Sequence, residues 1–111
     1  MIYEPFDVVK VPFPFTDKFA IKHRPALVIS TTTYQQNYNH CLLMMITSAK
    51  QSVWLDDIDI SDLSHTGLTV PSKIRFKIFS LESQLITSVL GKVDAELIKM
   101  VKANIKKYIA E

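Results

Sequence analysis

The chain has 111 residues, a length that suits one domain spanning residues 1–111. Its hydrophobic content of 48% excludes a disordered chain, and its formal charge of +2 is too small to indicate nucleic-acid binding without a clustered basic patch. No run of apolar residues reaches membrane-spanning length, no signal peptide opens the chain and Cys41 stands alone, so we expect a cytoplasmic protein without membrane contact.

Two predicted strands flank a basic loop near the amino terminus. Val9, Val11 and Phe13 alternate with other residues, which predicts a strand. Pro12 and Pro14 lack an amide hydrogen, so we expect this strand at a sheet edge or leaving the ladder at a bend. The apolar run 26–29 predicts a second strand, covered on both faces. The loop between them carries Lys18, Lys22, His23 and Arg24.

The middle of the chain predicts a short helix, two strands and a loop. Residues 31–39 suit a helix of one or two turns, and the apolar run 41–46 suits a buried central strand that exposes the hydroxyls of Thr47 and Ser48 at its end. Residues 51–61 predict another strand, in which Asp57 and its acidic neighbours form a solvated turn. Residues 62–72 read as a loop, with Gly67 in an unusual backbone conformation.

Three cations alternate with three apolar residues along the next predicted strand, so one face is apolar and the other is basic. These cations are Lys73, Arg75 and Lys77. They form either a solvent-facing side or a groove that follows a single-stranded nucleic acid. Residues 84–90 predict a last strand stopped by Gly91, and Asp94 caps a terminal helix. The whole pattern predicts a mainly β fold, a small curved antiparallel barrel with a helix packed on it.

Several motifs in order resemble one known family. PFPFTD at 12–17 and RPALVIS at 24–30 flank the basic loop, followed by MITS at 45–48, PSKIR at 71–75 and GKV at 91–93. Together they resemble the MazF/PemK family, the toxin components of type II toxin–antitoxin systems. Two residues depart from the family pattern: Phe6 stands where many members have Gly, and His23 replaces the first residue of a common R-R-P.

The resemblance implies the SH3-like barrel of CcdB, MazF and PemK toxins with a carboxy-terminal α-helix, usually as a homodimer. It implies a metal-independent endoribonuclease that cleaves single-stranded RNA by attack of the 2′-OH, giving a 2′,3′-cyclic phosphate and a 5′-OH. The resemblance implies no cofactor. In addition, His40, Cys41 and His65 lack the spacing of a zinc site. The expected partners are a cognate antitoxin that covers the site and operator DNA bound through that antitoxin.

Family motifs assign the catalytic roles to Arg24 and Thr47. A guanidinium suits a phosphate because it offers paired donors and keeps its charge. His23 is either an acid–base catalyst or a loop residue that touches RNA. The PemK branch uses an Asp two residues after the Arg that matches Arg75, but Lys77 stands there, so we expect no mechanism that needs this carboxylate. The predicted RNA-binding residues are Lys18, Lys22, Ser48, Lys73, Arg75, Lys77 and Phe15.

Two alternatives involve no catalysis. A CcdB-like toxin inhibits gyrase through a carboxy-terminal Trp, whereas the only Trp of this chain is Trp54, in mid-chain. An inactive relative would bind only the antitoxin, or operator DNA together with it.

Overall fold

A computed structural model describes residues 1–13 and 22–110, with all side chains except that of Phe13. Its elements, in chain order, are β1 (Asp7–Phe13), β2 (Lys22–Val28), α1 (Thr32–Tyr38), β3 (His40–Ser48), β4 (Ile58–Ile60), β5 (Ser72–Glu82), a 3-10 turn (Ser83–Leu85), β6 (Ser88–Lys92) and α2 (Ala95–Tyr108). No helix within these described ranges is long and apolar enough to cross a bilayer.

The six strands form one antiparallel sheet in the order β4-β5-β3-β2-β1-β6, curled into a half-barrel. The predicted mainly β architecture with a carboxy-terminal helix is confirmed. Strand β1 lies inside the sheet, between β2 and β6, because its first residues pair with both neighbours. Its pairing with β6 ends at Lys10, so Pro12 faces only one partner strand, β2.

The two sheet faces carry separate hydrophobic clusters. One contains Val9, Ala26 and Leu43 and lies on the same side as Tyr3 and Ile86. The other contains residues of alternate parity in the same strands and is covered by α2 through Leu97, Ile98, Val101 and Ile105. Both clusters are almost fully buried, which explains why β2 reads as a continuous apolar run.

Both helices begin at side-chain caps, and the cap of α2 is the predicted Asp94. The Thr31 hydroxyl accepts a hydrogen bond from the Tyr34 amide, and the Asp94 carboxylate accepts one from the Leu97 amide. Helix α1 ends at Asn39, whose φ of 54° is the left-handed conformation that closes a helix.

Two predicted strands differ from the structure. Within 51–61 only Ile58–Ile60 forms a strand, because Asp56 has a φ of 68° and the carbonyls of Gln51 and Ser52 bond to side chains of β5. The last strand runs through Gly91 instead of stopping there. This Gly is required for close packing rather than for a turn, as the site geometry explains.

Phe6, the first departure from the family pattern, has a φ of 71°. Such an angle is costly for a bulky residue and free of cost for Gly, which gives a physical reason for Gly at this position in relatives. The Phe6 ring packs against the α2 side of the sheet and lies 5.6 Å from the Lys102 ammonium, so packing offsets part of the backbone cost.

Candidate active site

The pairing of β2 with β3 ends partway along both strands. The last register pair is Ala26↔Met45, and the next pair would join Pro25 to Ile46. Both strands continue beyond this point, since β2 begins at Lys22 and β3 ends at Ser48. The sheet is therefore forked between these two strands.

Pro25 explains the position of the fork. The Ile29 amide bonds to β3 at the Leu42 carbonyl, whereas the Val28 carbonyl accepts a bond from Phe6 on the β1 side. Backbone groups of odd-numbered residues in β2 therefore face β3, because successive residues alternate. The nitrogen of Pro25 faces β3 with no hydrogen, so Pro25 cannot donate the next bond of the ladder.

A cleft of about 300 Å³ lies at the fork. It brings together four residues that the sequence singled out: His23 and Arg24 from β2, and Thr47 and Ser48 from β3. The remaining lining residues are Lys10, Pro25, Ile46, Gly67, Leu68, Thr69, Val70, Ser72 and Leu90. Arg24 and Thr47, 23 positions apart in sequence, thus share one cavity.

The lining of the cleft favours an anion. It includes Lys10, Arg24 and His23 together with four hydroxyl groups, and no described lining residue is acidic. Lys10 and Arg24 make no ion pair within residues 1–13 and 22–110. Their positive charges are therefore available to a ligand.

Strand alternation sorts the four predicted residues into two pairs. Arg24 and Thr47 have the parity of the Val9–Ala26–Leu43 cluster, whereas His23 and Ser48 have the parity of the α2 cluster. Extending the β2–β3 register by two residues sets Arg24 opposite Thr47. Because the fork opens the sheet, residues of both faces reach the same cleft.

Two glycines fix the far wall of the cleft. A Cβ at Gly67 would lie 2.2 Å from the Leu90 carbonyl oxygen, and one at Gly91 would lie 2.1 Å from that of His65. Gly67 also has a φ of 74°, as predicted. The chain contains only these two glycines, and both serve the contact that holds the 65–67 segment against β6.

The predicted exposed basic face on β5 is wrong for two of its three cations. The side chains of Lys73 and Arg75 are only 3% and 7% exposed, because residues 51–57 lie over them. Arg75 donates to both carboxylate oxygens of Asp57, at 3.2 and 3.1 Å, and to the Ser52 carbonyl. Lys73 donates to the Gln51 carbonyl at 2.6 Å and lies 3.5 Å from Asp57.

Asp57 is correspondingly not part of a solvated turn, since its side chain is 5% exposed. Burial alone would raise the pKa of Asp57. The hydrogen bond from Arg75, the amide of Trp54 and the charges of Arg75 and Lys73 outweigh that effect, so the pKa is lowered below 3.8. The Trp54 ring stacks on the Arg75 guanidinium at 4.5 Å, which completes the cover of the buried cations.

The other predicted RNA-binding residues lie apart from the cleft or outside the described residues. Lys22 and Lys77 are exposed and do not line it, and the Lys77 ammonium is 5.9 Å from the Trp54 ring. Lys18 and Phe15 lie outside the described residues. Sequence reasoning missed Lys10. Its position beside the cleft follows only from the β1–β2 register, which pairs Lys10 with Pro25.

Comparisons with known proteins agree with this architecture. The family model for the PemK-like, MazF-like toxin of type II toxin–antitoxin systems matches residues 4–109. Comparison with curated proteins gave no significant match.

Three solved structures share the fold at low identity. A MazE–MazF structure (form III) from Deinococcus radiodurans has a TM-score of 0.75 at 16% identity, covering 96% of this chain and 95% of the other. An endoribonuclease in complex with its cognate antitoxin from a mycobacterial species has a TM-score of 0.72 at 12% identity, covering 96% and 91%. The toxin MazF-mt6 of Mycobacterium tuberculosis has a TM-score of 0.69 at 12% identity, covering 91% and 93%. With the family model matching almost the whole sequence, this chain belongs to the PemK-like, MazF-like toxins of type II toxin–antitoxin systems.

Proposed function

We propose that the chain is a metal-independent endoribonuclease that cleaves single-stranded RNA. The observation that carries this proposal is the fork in the sheet, where Arg24 and Thr47 line one cleft whose described lining contains cations and hydroxyls but no carboxylate. A phosphodiester is an anion that such a lining attracts.

The proposed reaction needs no group beyond the RNA and the protein. The ribose 2′-oxygen attacks the adjacent phosphorus as it loses its proton, and the bond from phosphorus to the 5′-oxygen breaks as that oxygen gains a proton. The products are a 2′,3′-cyclic phosphate and a 5′-OH, so atoms and charge balance. The protein has to hold the phosphate in line with the 2′-oxygen and stabilise negative charge on the non-bridging oxygens.

Arg24 and Thr47 are the proposed phosphate ligands. They share strand parity and lie opposite each other when the register is extended, so both can donate to oxygens of one phosphate. The exposed guanidinium of Arg24 provides fixed paired donors, and Thr47, half-buried at the end of β3, provides a hydroxyl. We expect the loss of Arg24 to cost about 3 kcal/mol of transition-state stabilisation, on the order of a hundredfold in rate.

His23 is proposed as a proton carrier from the other wall of the cleft. Imidazole is the usual acid–base side chain, and His23 lines the cleft beside Arg24. His23 has the strand parity of Ser48 and not that of Thr47. His23 therefore lies, in this proposal, on the opposite side of the bound phosphate from Arg24 and Thr47. In this arrangement Lys73 and Arg75 support the wall from beneath, since Lys73 is the register partner of Thr47.

The proposed protein is a homodimer in the cytoplasm. Its proposed partners are a cognate antitoxin and operator DNA bound through that antitoxin. An antitoxin segment that covers the cleft would need acidic residues, because the described lining offers only positive charge. Val53 and Leu55 are more than 80% exposed beside Trp54 and would suit an apolar contact with such a partner.

The test is cleavage of a long single-stranded RNA in excess chelator, with mapping of the cut ends. Wild-type protein and Lys99→Ala, a control on the exposed side of α2, should cleave at equal rates and leave a 2′,3′-cyclic phosphate. Arg24→Ala should cleave about a hundredfold more slowly. No cleavage by wild type would overturn the nuclease proposal in favour of a binding-only protein, and cleavage abolished by chelator would overturn the metal-free mechanism.

A further inference from the structure

A second free cation reaches the cleft from the neighbouring strand. Lys10 in β1 is the register partner of Pro25, the residue at which β2 and β3 separate. It is exposed, lines the cleft with Arg24 and has no ion-pair partner in the described ranges 1–13 and 22–110. This distinguishes Lys10 from Lys73, whose charge is directed to Asp57.

The backbone of Lys10 is hydrogen-bonded at the start of β6. Its carbonyl accepts hydrogen bonds from the amide of Thr87 at 2.9 Å and from the Thr87 hydroxyl at 3.0 Å. Its register partner in β6 is Ser88, just after this contact. The side chain therefore extends from a fixed strand position, so binding a ligand requires no ordering of the backbone.

Lys10 and Arg24 approach the cleft from different faces of the sheet. Lys10 shares the face of its partner Pro25, whereas Arg24, the next residue along β2, has the opposite parity. A phosphate held between Arg24 and Thr47 thus lies at one wall of the cleft. Lys10, on the other face of the sheet, would contact a different part of the same ligand.

We propose that Lys10 binds a phosphate of the RNA next to, but not at, the scissile position. This inference rests on the proposed function for the nature of the ligand. A contact made away from the reacting phosphorus is equally strong in the ground state and in the transition state. Lys10 therefore lowers KM and leaves kcat unchanged, and it acts on every RNA sequence alike.

Binding is tested with a single-stranded RNA carrying 2′-O-methyl groups throughout, which cannot undergo attack by the 2′-oxygen. The dissociation constant is measured by fluorescence anisotropy over a range of salt concentrations for wild type, Lys10→Gln and the control Lys99→Gln. Lys99 is exposed on α2 and does not line the cleft. Lys99→Gln and Lys10→Gln have the same net charge, so a difference between them reflects the position of the lost charge. Cleavable RNA then gives kcat and KM for the same three proteins.

Lys10→Gln should weaken binding about fivefold. It should reduce the slope of log affinity against log salt by about 0.7, the contribution of one phosphate contact on a single strand. KM should rise by a similar factor at constant kcat, and Lys99→Gln should match wild type. A salt slope equal to that of wild type would overturn the proposal, as would a loss of kcat without a change in KM.

The two proposals fail in different ways. A wild-type protein that leaves RNA uncut but binds the 2′-O-methyl RNA with a Lys10-dependent salt slope would overturn the nuclease function and support the Lys10 contact. Active cleavage with no Lys10-dependent slope would do the reverse. A wild-type protein that binds no RNA would overturn both.

Discussion

Replacing Asp57 with Asn removes the one negative charge from a buried group that contains Lys73 and Arg75. The three side chains are 3–7% exposed, so water cannot replace the lost carboxylate. Asn retains an oxygen for the Trp54 amide, which donates to Asp57 at 2.9 Å, so the loss is mainly one of charge. Two cations left buried without a counter-charge should destabilise the fold by about 3 kcal/mol.

Urea unfolding monitored by circular dichroism measures this loss. Asp57→Asn should lower the midpoint at an unchanged m value, and thermal unfolding should shift down by about 12 °C. Asp59→Asn is the matched control, because Asp59 is the register partner of Lys73 but is itself exposed and pairs with neither cation. A destabilisation by Asp57→Asn no larger than that of Asp59→Asn would refute the reasoning.

The same pair of proteins tests the pH dependence. The folded-state pKa of Asp57 is lowered, so its stabilising contribution is complete above the unfolded-state value of 3.8 and is lost as pH falls through the lower folded-state value. The difference in unfolding free energy between wild type and Asp57→Asn should therefore be constant at neutral pH and shrink below about pH 4. A difference that stays constant down to pH 2 would contradict this assignment.

Three further variants test how the cleft and α2 are built. Pro25→Ala restores an amide that faces β3, so we expect hydrogen exchange to show protection at position 25, with pairing to Ile46 and slower RNA cleavage. Gly67→Ala should destabilise the protein by more than about 2 kcal/mol in urea unfolding, because its Cβ would meet the Leu90 carbonyl oxygen at 2.2 Å and φ is positive. Asp94→Ala removes the α2 cap and should cost about 1 kcal/mol in urea unfolding without changing the RNA cleavage rate.

Local sequence patterns predicted those features that depend on neighbouring residues. Alternation in β1, the short helix within residues 31–39 and the carboxylate cap at Asp94 all act within a few residues, and the structure has each of them. The terminal helix likewise packs on the sheet, as predicted.

The 51–57 segment could not be predicted from such patterns. Alternation along β5 shows that Lys73 and Arg75 share a face, but it does not show what covers that face. The cover comes from Asp57, 18 residues before Arg75, and depends on the positive φ of Asp56. Residues that look like a solvated acidic turn therefore become the counter-charge of a buried group.

The family motifs singled out Arg24 and Thr47, and the structure brings both to one cleft, although their catalytic roles stay predictions. The motif could not show why a cleft forms there. That reason is the missing amide hydrogen of Pro25 combined with the phase of the β2–β3 ladder, which only the register reveals. Lys10 was missed because a lone Lys on a strand resembles any solvated residue. Only the β1–β2 register shows that it pairs with Pro25.

The central claim, that Arg24 and Thr47 hold one phosphate, is tested most directly by a double-mutant cycle in single-turnover RNA cleavage. The cycle compares wild type, Arg24→Ala, Thr47→Val and the double variant at saturating protein. If both side chains contact the same phosphate, each single variant is slower and the double variant loses less than the product of the two single losses. Cleavage by Arg24→Ala at the wild-type rate would contradict the claim. Losses in rate that multiply in the double variant would contradict it as well.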